Sequence, residues 1–240
     1  DIYALEKFAQ DNKTGYENKE KIQRQLKDIN LDSLNNLYRI RQINVAAEID
    51  PNMLYNLPYT DKALLVDDYR KKVDSIGTDI IKAGKYAVVT MAGGQGTRLG
   101  HPGPKGTYIF DVEKNKSIFE TLCETLKDAW RKYDTVIPWY LMTSKENNKA
   151  TVENIEKHNY FGYPKDAIHF FIQGQLPMVS LNGKILLEEN GLVKEAANGH
   201  GGTLHSMEKC GIIKEMKQKG IEWIFINGVD NVLVKPVDPL

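Results

Sequence analysis

Four glycines and one arginine lie close together in residues 91–100, which read Met-Ala-Gly-Gly-Gln-Gly-Thr-Arg-Leu-Gly. Glycine lets a backbone approach a ligand closely and turn its N–H groups toward phosphate oxygens. The planar guanidinium of Arg98 suits a pyrophosphate group. The stretch therefore predicts a phosphate-binding loop that holds a nucleotide. Its predicted nucleotide-binding residues are Ala92, Gly93, Gly94, Gly96 and Thr97.

A lysine follows this loop in the sequence Pro104-Lys105-Gly106. Proline and glycine favour a stiff turn, so Lys105 is held in place rather than carried on a mobile helix face. Its ammonium can meet a phosphate as a point charge. A turn that used its glycines only for tightness would require neither Arg98 nor Lys105. We therefore predict both as catalytic residues that offset charge on a phosphate group.

Two better-known phosphate loops do not fit this sequence. The Gly-Lys-Ser/Thr ending of a P-loop is absent, and Gly100 comes one residue too late after Gly94-Gln95-Gly96 for the dinucleotide fingerprint. A nicotinamide-dependent oxidoreductase on a Rossmann sheet is therefore the weaker alternative.

The elements around the loop predict an open α/β sheet. Residues 86–92 form an almost continuous apolar run, typical of a strand buried on both faces. Further strands are predicted at 136–142, 168–173 and 222–227. Helical patterns separate them: one begins at the capping box Ser117-Ile118-Phe119-Glu120, one covers 145–160, and one runs from Leu204 to Gly220. This alternation predicts a doubly wound, mostly parallel sheet with ligands at the carboxyl ends of its strands.

Two regions depart from this alternation. Residues 1–84 show apolar side chains at helical spacing and little chemistry, so we predict an N-terminal helical region there and the catalytic α/β domain in residues 85–240. Residues 178–188 contain two short β-like runs joined by Asn182-Gly183, which predicts a tight hairpin inserted at the edge of the sheet.

Composition indicates few special partners. The 32 Lys and Arg balance the 32 Asp and Glu, so neither nucleic acid nor a membrane is an expected partner. No apolar run approaches the roughly 20 residues of a membrane-spanning helix, and the first residues do not resemble a secretory signal. Cys123 and Cys210 lie far apart among apolar residues. They suggest reduced thiols and a cytoplasmic protein. The oligomeric state is not predicted.

The glycine-rich loop with Pro104-Lys105-Gly106 resembles the signature of the UDP-sugar pyrophosphorylase family. That family includes UDP-glucose and UDP-N-acetylglucosamine pyrophosphorylases. The resemblance extends over residues 85–240 and implies a Rossmann-like nucleotidyltransferase sheet. It implies a uridylyltransferase that forms a UDP-sugar and pyrophosphate from UTP and a sugar 1-phosphate. Family members continue beyond the position of Leu240, so we expect this catalytic domain to be truncated at its C-terminus.

The resemblance also implies roles for residues in two later segments. Gln173 corresponds to the glutamine that reads the uracil edge, for which an amide offers both a donor and an acceptor. Asn198 and Gly199 belong to a loop similar to the family's Pro-Asn-Gly-Asn-Gly-Gly, with Ala197 in place of the proline. His200 is the implied sugar-binding residue. Histidine occurs there in UDP-glucose enzymes and asparagine in N-acetylhexosamine enzymes, so we expect glucose 1-phosphate, with N-acetylglucosamine 1-phosphate as the alternative.

The implied metal ligand is Asp230, because residues 228–234 resemble the family's Val-Asp-Asn motif. Mg²⁺ is commonly held by one or two carboxylates together with substrate phosphates. The implied reaction is an in-line attack of a sugar 1-phosphate oxygen on the α-phosphorus of UTP, with no protein nucleophile. A non-catalytic protein that binds nucleotide sugars is the other alternative, since fold alone does not exclude it.

Overall fold

The computed structural model describes residues 16–42, 52, 54–111 and 113–240. It contains two compact units, which we call the helix–hairpin unit and the sheet unit. The helix–hairpin unit takes the described part of residues 1–59 together with 175–197, and the sheet unit takes the described part of 60–174 together with 198–240. The prediction of two regions, 1–84 and 85–240, treated each region as one continuous stretch of the chain. It stays a prediction. Residues 1–15 and 43–51 of the predicted helical region lie outside the described residues.

The helices and strands are numbered in chain order. The helices are α1 Tyr16–Asp28, α2 Leu31–Gln42, α3 Asp67–Lys82, α4 Ile118–Tyr133, α5 Asn148–Lys157, α6 Thr203–Lys209 and α7 Ile212–Gln218. The strands are β1 Tyr86–Met91, β2 Ile109–Asp111, β3 Lys116–Ser117, β4 Trp139–Thr143, β5 Ile168–Ile172, β6 Gln175–Pro177, β7 Glu195–Ala197 and β8 Trp223–Gly228. In the described part of the chain, no helix is both long and apolar enough to cross a membrane.

Four parallel strands form the central sheet of the sheet unit, in the order β5-β4-β1-β8. Val88 of β1 pairs with Trp139 on one side and Phe225 on the other. The chain moves outward from β1 to β4 and β5, then returns to place β8 on the opposite side of β1. Loops that leave β1 and β8 therefore diverge at a topological switch point, where such sheets bind ligands. The predicted doubly wound α/β fold is confirmed.

Helices cover both faces of this sheet, which explains why its strands are apolar at nearly every position. Val88, Trp139 and Leu141 point to one face and pack in a core with residues of α4 and α5. Their neighbours Val89 and Tyr140 point to the other face and pack against α6 and α7. Successive side chains of a strand alternate between faces, so both cores need apolar residues from the same strands.

Helix α4 begins where the sequence predicts. The Ser117 hydroxyl accepts a hydrogen bond from the Glu120 N–H at 3.2 Å, as an N-cap should. After Tyr133, Asp134 adopts a left-handed conformation with φ 53° and ends the helix.

Several other boundaries differ from the prediction for local reasons. Strand β4 begins at Trp139 rather than 136, because the Ile137 N–H donates to the Tyr163 hydroxyl and Pro138 has no N–H for a strand pairing. Helix α5 ends at Lys157 because residues 159–161 have φ between 49° and 53°, a left-handed turn. The helix predicted from Leu204 to Gly220 is two helices, α6 and α7, separated by Gly211 at φ 78°.

The predicted hairpin belongs to the helix–hairpin unit and pairs with none of the four strands of the central sheet, and its place at the edge of that sheet stays a prediction. Gly183 has φ 78°, as the predicted turn requires, and Val179 bridges Ile185. The segment lies between β6 and β7, which pair only with each other among the described strands. The Gln25 side chain of α1 bonds both the N–H and the C=O of Val193 at 3.0 Å, so α1 also contributes to this unit.

A buried chain of side-chain hydrogen bonds crosses three strands of the central sheet. The Trp139 indole N–H donates to the Thr90 hydroxyl at 2.9 Å, and that hydroxyl donates to Oδ1 of Asn227 at 3.0 Å. All three residues are buried. Thr90 therefore satisfies a donor on β4 and an acceptor on β8 at once, which fixes the order of the strands around β1.

Thr90→Val tests this chain of hydrogen bonds. The substitution keeps the shape but leaves the Trp139 N–H and the Asn227 carbonyl unpaired, so we expect about 1–3 kcal/mol less unfolding free energy. Urea unfolding followed by tryptophan fluorescence measures it, because Trp130, Trp139 and Trp223 all belong to the sheet unit. Thr90→Ser keeps the hydroxyl and should lose less. A valine variant more stable than the serine variant would contradict the assignment.

A cluster of ionisable groups packs between β4, β5 and α7. The Tyr140 ring stacks on His169 with 4.6 Å between ring centroids, and its hydroxyl donates to Oε1 of Glu215 at 3.2 Å. Lys219 Nζ lies 2.7 Å from the same carboxylate oxygen. Burial lowers the pKa of His169, although Glu215 opposes the shift. Burial would raise the pKa of Glu215, but Lys219, His169 and Tyr140 together hold it below its usual value.

His169→Gln tests this cluster through pH. A histidine whose pKa is lower in the folded state contributes stability that is present above its unfolded value, about 6.5, and is lost as the pH falls through its folded value. The unfolding free energy should therefore fall less from pH 7 to pH 5 in His169→Gln than in the wild type. Urea unfolding at both pH values measures this. Equal slopes in the wild type and in His169→Gln would count against the cluster.

Candidate active site

The glycine-rich loop leaves β1 with its ends fixed and its middle open. The Ala92 N–H donates to the Met142 carbonyl at 2.7 Å, and the Gly96 N–H donates to the Gly103 carbonyl at 2.9 Å. Between them, the N–H groups of Gly93, Gly94 and Gln95 have no acceptor in the part of the chain that the structure describes. Successive unpaired N–H groups form a concave anion-binding surface. Thr97 and Arg98 follow in an exposed 3₁₀ turn, Thr97–Leu99.

Lys105 lies beside this loop and reaches Asp230, the second residue after β8. It begins a 3₁₀ turn, Lys105–Thr107, and its N–H donates to the Gly94 carbonyl at 3.0 Å. Its ammonium lies 3.8 Å from Oδ2 of Asp230. The lysine side chain is only 16% exposed, whereas that of Asp230 is 62% exposed. The two loops of the switch point are therefore joined by one ion pair that remains open to a ligand.

The three charged residues predicted from the sequence line one cavity. Arg98, Lys105 and Asp230 share a cavity of about 390 Å³ whose other walls are mainly apolar. The apolar lining residues are Leu99, Tyr108, Phe110, Ile118 and Val232. Apolar walls exclude water and strengthen the field of nearby charges. The cavity is suited to a small anion or to the charged end of a larger ligand.

His101, to which the sequence analysis assigned no role, supports both loops. Its ring occupies the space beside Gly96, where an added methyl group would lie 2.8 Å from its Cβ. Its Nε2 lies 2.7 Å from the Thr107 hydroxyl, which itself donates to the Pro104 carbonyl at 2.8 Å. Because that hydroxyl has one hydrogen, Nε2 of His101 must be the donor. No motif signals this contact, since it depends on how the chain folds back between residues 101 and 107.

Gly106 is required by close packing. A methyl group at this position would lie 2.2–2.5 Å from the ring of Phe119, the residue of α4 on which the Lys105 turn rests. Phe119 is fully buried and packs edge-on against Trp139. The lysine is thus positioned by the core of the sheet unit rather than by its own loop alone.

Gln173 follows β5, and its side-chain amide lies beside Gly93. A methyl group at Gly93 would lie 2.6 Å from Nε2 of Gln173 and 3.0 Å from Oε1. Gln173 is 6% exposed, and its amide makes no hydrogen bond to any described residue. The terminal N and O of this amide are within reach of solvent, so a ligand can bind them without breaking a hydrogen bond inside the protein.

The Asn198 side chain also has an atom without a hydrogen-bond partner among the described residues. Its side chain lies between two glycines, since methyl groups at Gly174 and Gly202 would lie 2.6 Å and 2.2 Å from its Nδ2. Its Oδ1 is buried and has no partner among the described residues. Gly199 follows with φ 74°, and His200 begins the 3₁₀ turn His200–Gly202 with an exposed side chain. Asn198 is therefore placed to meet a ligand, whereas His200 lies exposed to solvent.

Asp230 is suited to a metal ion that takes its other coordinating atoms from a bound ligand or from water. In the described ranges, no three His, Cys, Asp or Glu side chains come close enough to hold a metal by themselves. Gly228 leaves room for the carboxylate, because a methyl group there would lie 2.8 Å from Oδ1 of Asp230. One accessible carboxylate fits the chemistry of Mg²⁺, which usually takes its remaining ligands from water and substrate phosphates.

Comparison with known proteins agrees with this geometry. The family model described as UTP–glucose-1-phosphate uridylyltransferase matches residues 40–240. The chain belongs to this family. The resemblance to UDP-sugar pyrophosphorylases inferred from the sequence is thereby confirmed.

Relatives within the uridylyltransferase family carry mainly one name. The UDP-N-acetylglucosamine pyrophosphorylase of Saccharomyces cerevisiae is 36% identical over 203 residues, which cover 82% of this chain and 42% of that protein. An Arabidopsis thaliana UDP-N-acetylglucosamine diphosphorylase is 35% identical over 181 residues, covering 71% of this chain and 36% of the relative. The chain thus spans about half or less of the length of the curated relatives it matches.

Solved structures of the uridylyltransferase family share the fold. A putative UDP-N-acetylglucosamine pyrophosphorylase from Entamoeba histolytica is 37% identical with a TM-score of 0.67, covering 76% of this chain and 47% of that one. A UDP-glucose phosphorylase from Trypanosoma brucei has a TM-score of 0.65 at 17% identity, covering 88% of this chain and 44% of the other. At that identity the second likeness shows the fold alone.

Substitution of two neighbouring glycines tests the contact between the loop and Gln173. Gly93→Ala should displace the Gln173 amide, because its methyl group would overlap both terminal atoms, while the flexible side chain keeps the cost in stability small. Gly94→Ala is the matched control, since its nearest neighbour is Lys105 Cε at an ordinary 3.8 Å. NMR of the Gln173 side-chain NH₂ group measures the displacement. An unchanged Gln173 signal in Gly93→Ala would show that the amide does not lie against the loop.

Proposed function

We propose that this chain contains the nucleotide-binding part of an enzyme that transfers a uridylyl group from UTP to a sugar 1-phosphate, releasing pyrophosphate. The observation that carries the proposal is the Lys105–Asp230 pair at the switch point, 3.8 Å apart beside three unpaired backbone N–H groups. Membership of the uridylyltransferase family supports the same reaction.

The residues of the site would act by positioning UTP and by offsetting the charge on its phosphates. The N–H groups of Gly93 and Gly94 would hold phosphate oxygens of UTP, with Ala92, Gly96 and Thr97 shaping the loop. Lys105 and Arg98 would offset the negative charge that develops on departing pyrophosphate. Phosphoryl-type displacements need little covalent help from a protein, so such an arrangement suffices for an in-line attack by the sugar phosphate.

Gln173 and Asn198 would recognise the nucleoside. The free amide of Gln173 can donate to one atom and accept from another on the uracil edge. Asn198, with its unpaired Oδ1, and Gly199 would contact the ribose. Their support is that the Gln173 amide and the buried Oδ1 of Asn198 have no hydrogen-bond partner among the described residues.

Mg²⁺ is the proposed cofactor, with Asp230 as its protein ligand. An ion held by this carboxylate would supply positive charge that neutralises the substrate phosphates. Lys105 would hold the Asp230 carboxylate oriented toward the phosphates through their ion pair.

For the sugar we propose an N-acetylhexosamine 1-phosphate. The relatives most similar in sequence are named for UDP-N-acetylglucosamine, so the glucose 1-phosphate expected from His200 is not supported and the alternative is favoured. The side chain of His200 is exposed. One exposed side chain does not decide which sugar is used. The enzyme selects its sugar by all the residues around the second carbon of that sugar. We also keep the cytoplasm as the proposed compartment, since both cysteines are free thiols.

The test is pyrophosphate release from UTP, CTP, ATP and GTP, each paired with the 1-phosphates of glucose and N-acetylglucosamine in the presence of Mg²⁺. We expect release with UTP and fastest turnover with the N-acetyl sugar. Lys105→Met and Asp230→Asn should each lower kcat by about 100-fold or more, because each removes a charge that acts in the transition state. Lys114→Met, which removes an exposed lysine paired with Asp111, is the control.

Three other outcomes would change the conclusion. Faster release with glucose 1-phosphate would restore the expectation drawn from His200. UTP binding without release would favour a nucleotide-binding protein that does not turn over. Absence of both would overturn the proposed function.

A further inference from the structure

Asn147 holds the glycine-rich loop from the neighbouring strand. It lies between β4 and α5, and it is completely buried. Its Nδ2 donates to the Ala92 carbonyl at 2.9 Å and to the Gly94 carbonyl at 3.2 Å. Its Oδ1 accepts from the Ser144 N–H at 2.8 Å. One amide therefore ties the turn after β4 to two carbonyls of the loop after β1.

The two carbonyls determine which way the loop presents its N–H groups. A trans peptide is planar, so the N–H of a residue points away from the carbonyl that precedes it. With the Ala92 and Gly94 carbonyls turned toward Asn147, the N–H groups of Gly93 and Gln95 point away from it. These N–H groups have no acceptor among the described residues. A loop with the opposite orientation would present carbonyl oxygens, which repel a phosphate.

The same contact reaches Lys105. The Gly94 carbonyl accepts both from Nδ2 of Asn147 and from the Lys105 N–H, at 3.2 Å and 3.0 Å. The position of the lysine turn thus depends on the carbonyl that Asn147 orients. Loss of the amide would loosen the N–H surface and the lysine together.

Helix capping does not explain the hydrogen bonds of the Asn147 side chain. Asn147 is the N-cap residue of α5, but its side chain makes no capping hydrogen bond to the helix, because its oxygen bonds the Ser144 N–H instead. The two donated hydrogen bonds go to a segment more than fifty residues earlier. Their only evident effect is on the loop.

We propose that Asn147 is a positioning residue whose amide aims the N–H groups of Gly93 and Gln95 at the phosphates of the bound nucleotide. This role rests on the proposed function and adds to it the residue that keeps the phosphate subsite organised. It predicts a defect that grows with the number of phosphates on the ligand and leaves recognition of the nucleoside largely intact.

Asn147→Asp is the informative substitution. It keeps the size and the acceptor for the Ser144 N–H, but it replaces the donor with an oxygen that repels both loop carbonyls. Asn148→Asp is the matched control, with the same charge change at the next residue, where Oδ1 accepts from the Thr143 hydroxyl at 2.7 Å and an aspartate can do the same. Asn147→Ser serves as an uncharged second variant, because a hydroxyl has one hydrogen and can donate to only one of the two carbonyls.

The measurement is the affinity for UTP and for uridine by NMR titration of each protein. Relative to Asn148→Asp, we expect Asn147→Asp to bind UTP about tenfold more weakly or worse, a difference of about 1.4 kcal/mol. Uridine affinity should differ by less than about threefold, since the hydrogen bonds of Asn147 act on the phosphate loop. Asn147→Ser should shift in the same direction by a smaller factor.

The outcomes separate the two proposals. Equal UTP affinity in Asn147→Asp and Asn148→Asp, or an equal loss for UTP and uridine, overturns the positioning role while the proposed function stands. A wild-type chain that binds no UTP overturns the proposed function and the role of Asn147 with it. If Asn147→Asp does not fold, Asn147→Ser decides by the same comparison.

Discussion

Parallel pairing of β1 with both β4 and β8 is the constraint on which the rest of the structure depends. It brings the carboxyl ends of these strands to one edge of the sheet, so the segments that follow them meet although they are far apart in sequence. The Lys105–Asp230 ion pair joins the loop after β1 to the loop after β8, where the two loops diverge. The hydrogen bonds of Asn147 connect the loops after β1 and β4. A change in strand order would separate all of these groups.

The glycines of the site are there for space as much as for conformation. Gly93 leaves room for the Gln173 amide, Gly174 for the Asn198 amide, and Gly106 for the Phe119 ring. In each case a side chain from another segment occupies the volume that a methyl group would take. The loops are therefore packed into defined positions and do not depend on their own turns alone, which allows weakly structured segments to present a precise set of polar groups.

The site carries polar groups that the protein itself does not satisfy. Three loop N–H groups, the Gln173 amide and Oδ1 of Asn198 have no partner among the described residues, and for Oδ1 of Asn198, which is buried, this costs folding free energy. The two apolar cores on either face of the sheet, together with the buried contacts of Thr90, hold the strands in place against that cost. The strands thus supply the stability. The polar groups without partners lie at the ends of the strands, where a ligand can form hydrogen bonds with them.

The sequence by itself determined the α/β class, the parallel strands and the family, and it predicted that the glycine-rich loop with Arg98 and Lys105 binds phosphate. These follow from local signals: apolar runs, the capping box at Ser117, and glycines at fixed spacing. Only the tertiary structure decided that Asn147 and His101 support the loops, that the hairpin pairs within another unit, and that a left-handed turn ends α5. Those features depend on contacts between distant segments, or on backbone conformations that Tyr160 and Phe161 do not favour alone, so no local pattern encodes them.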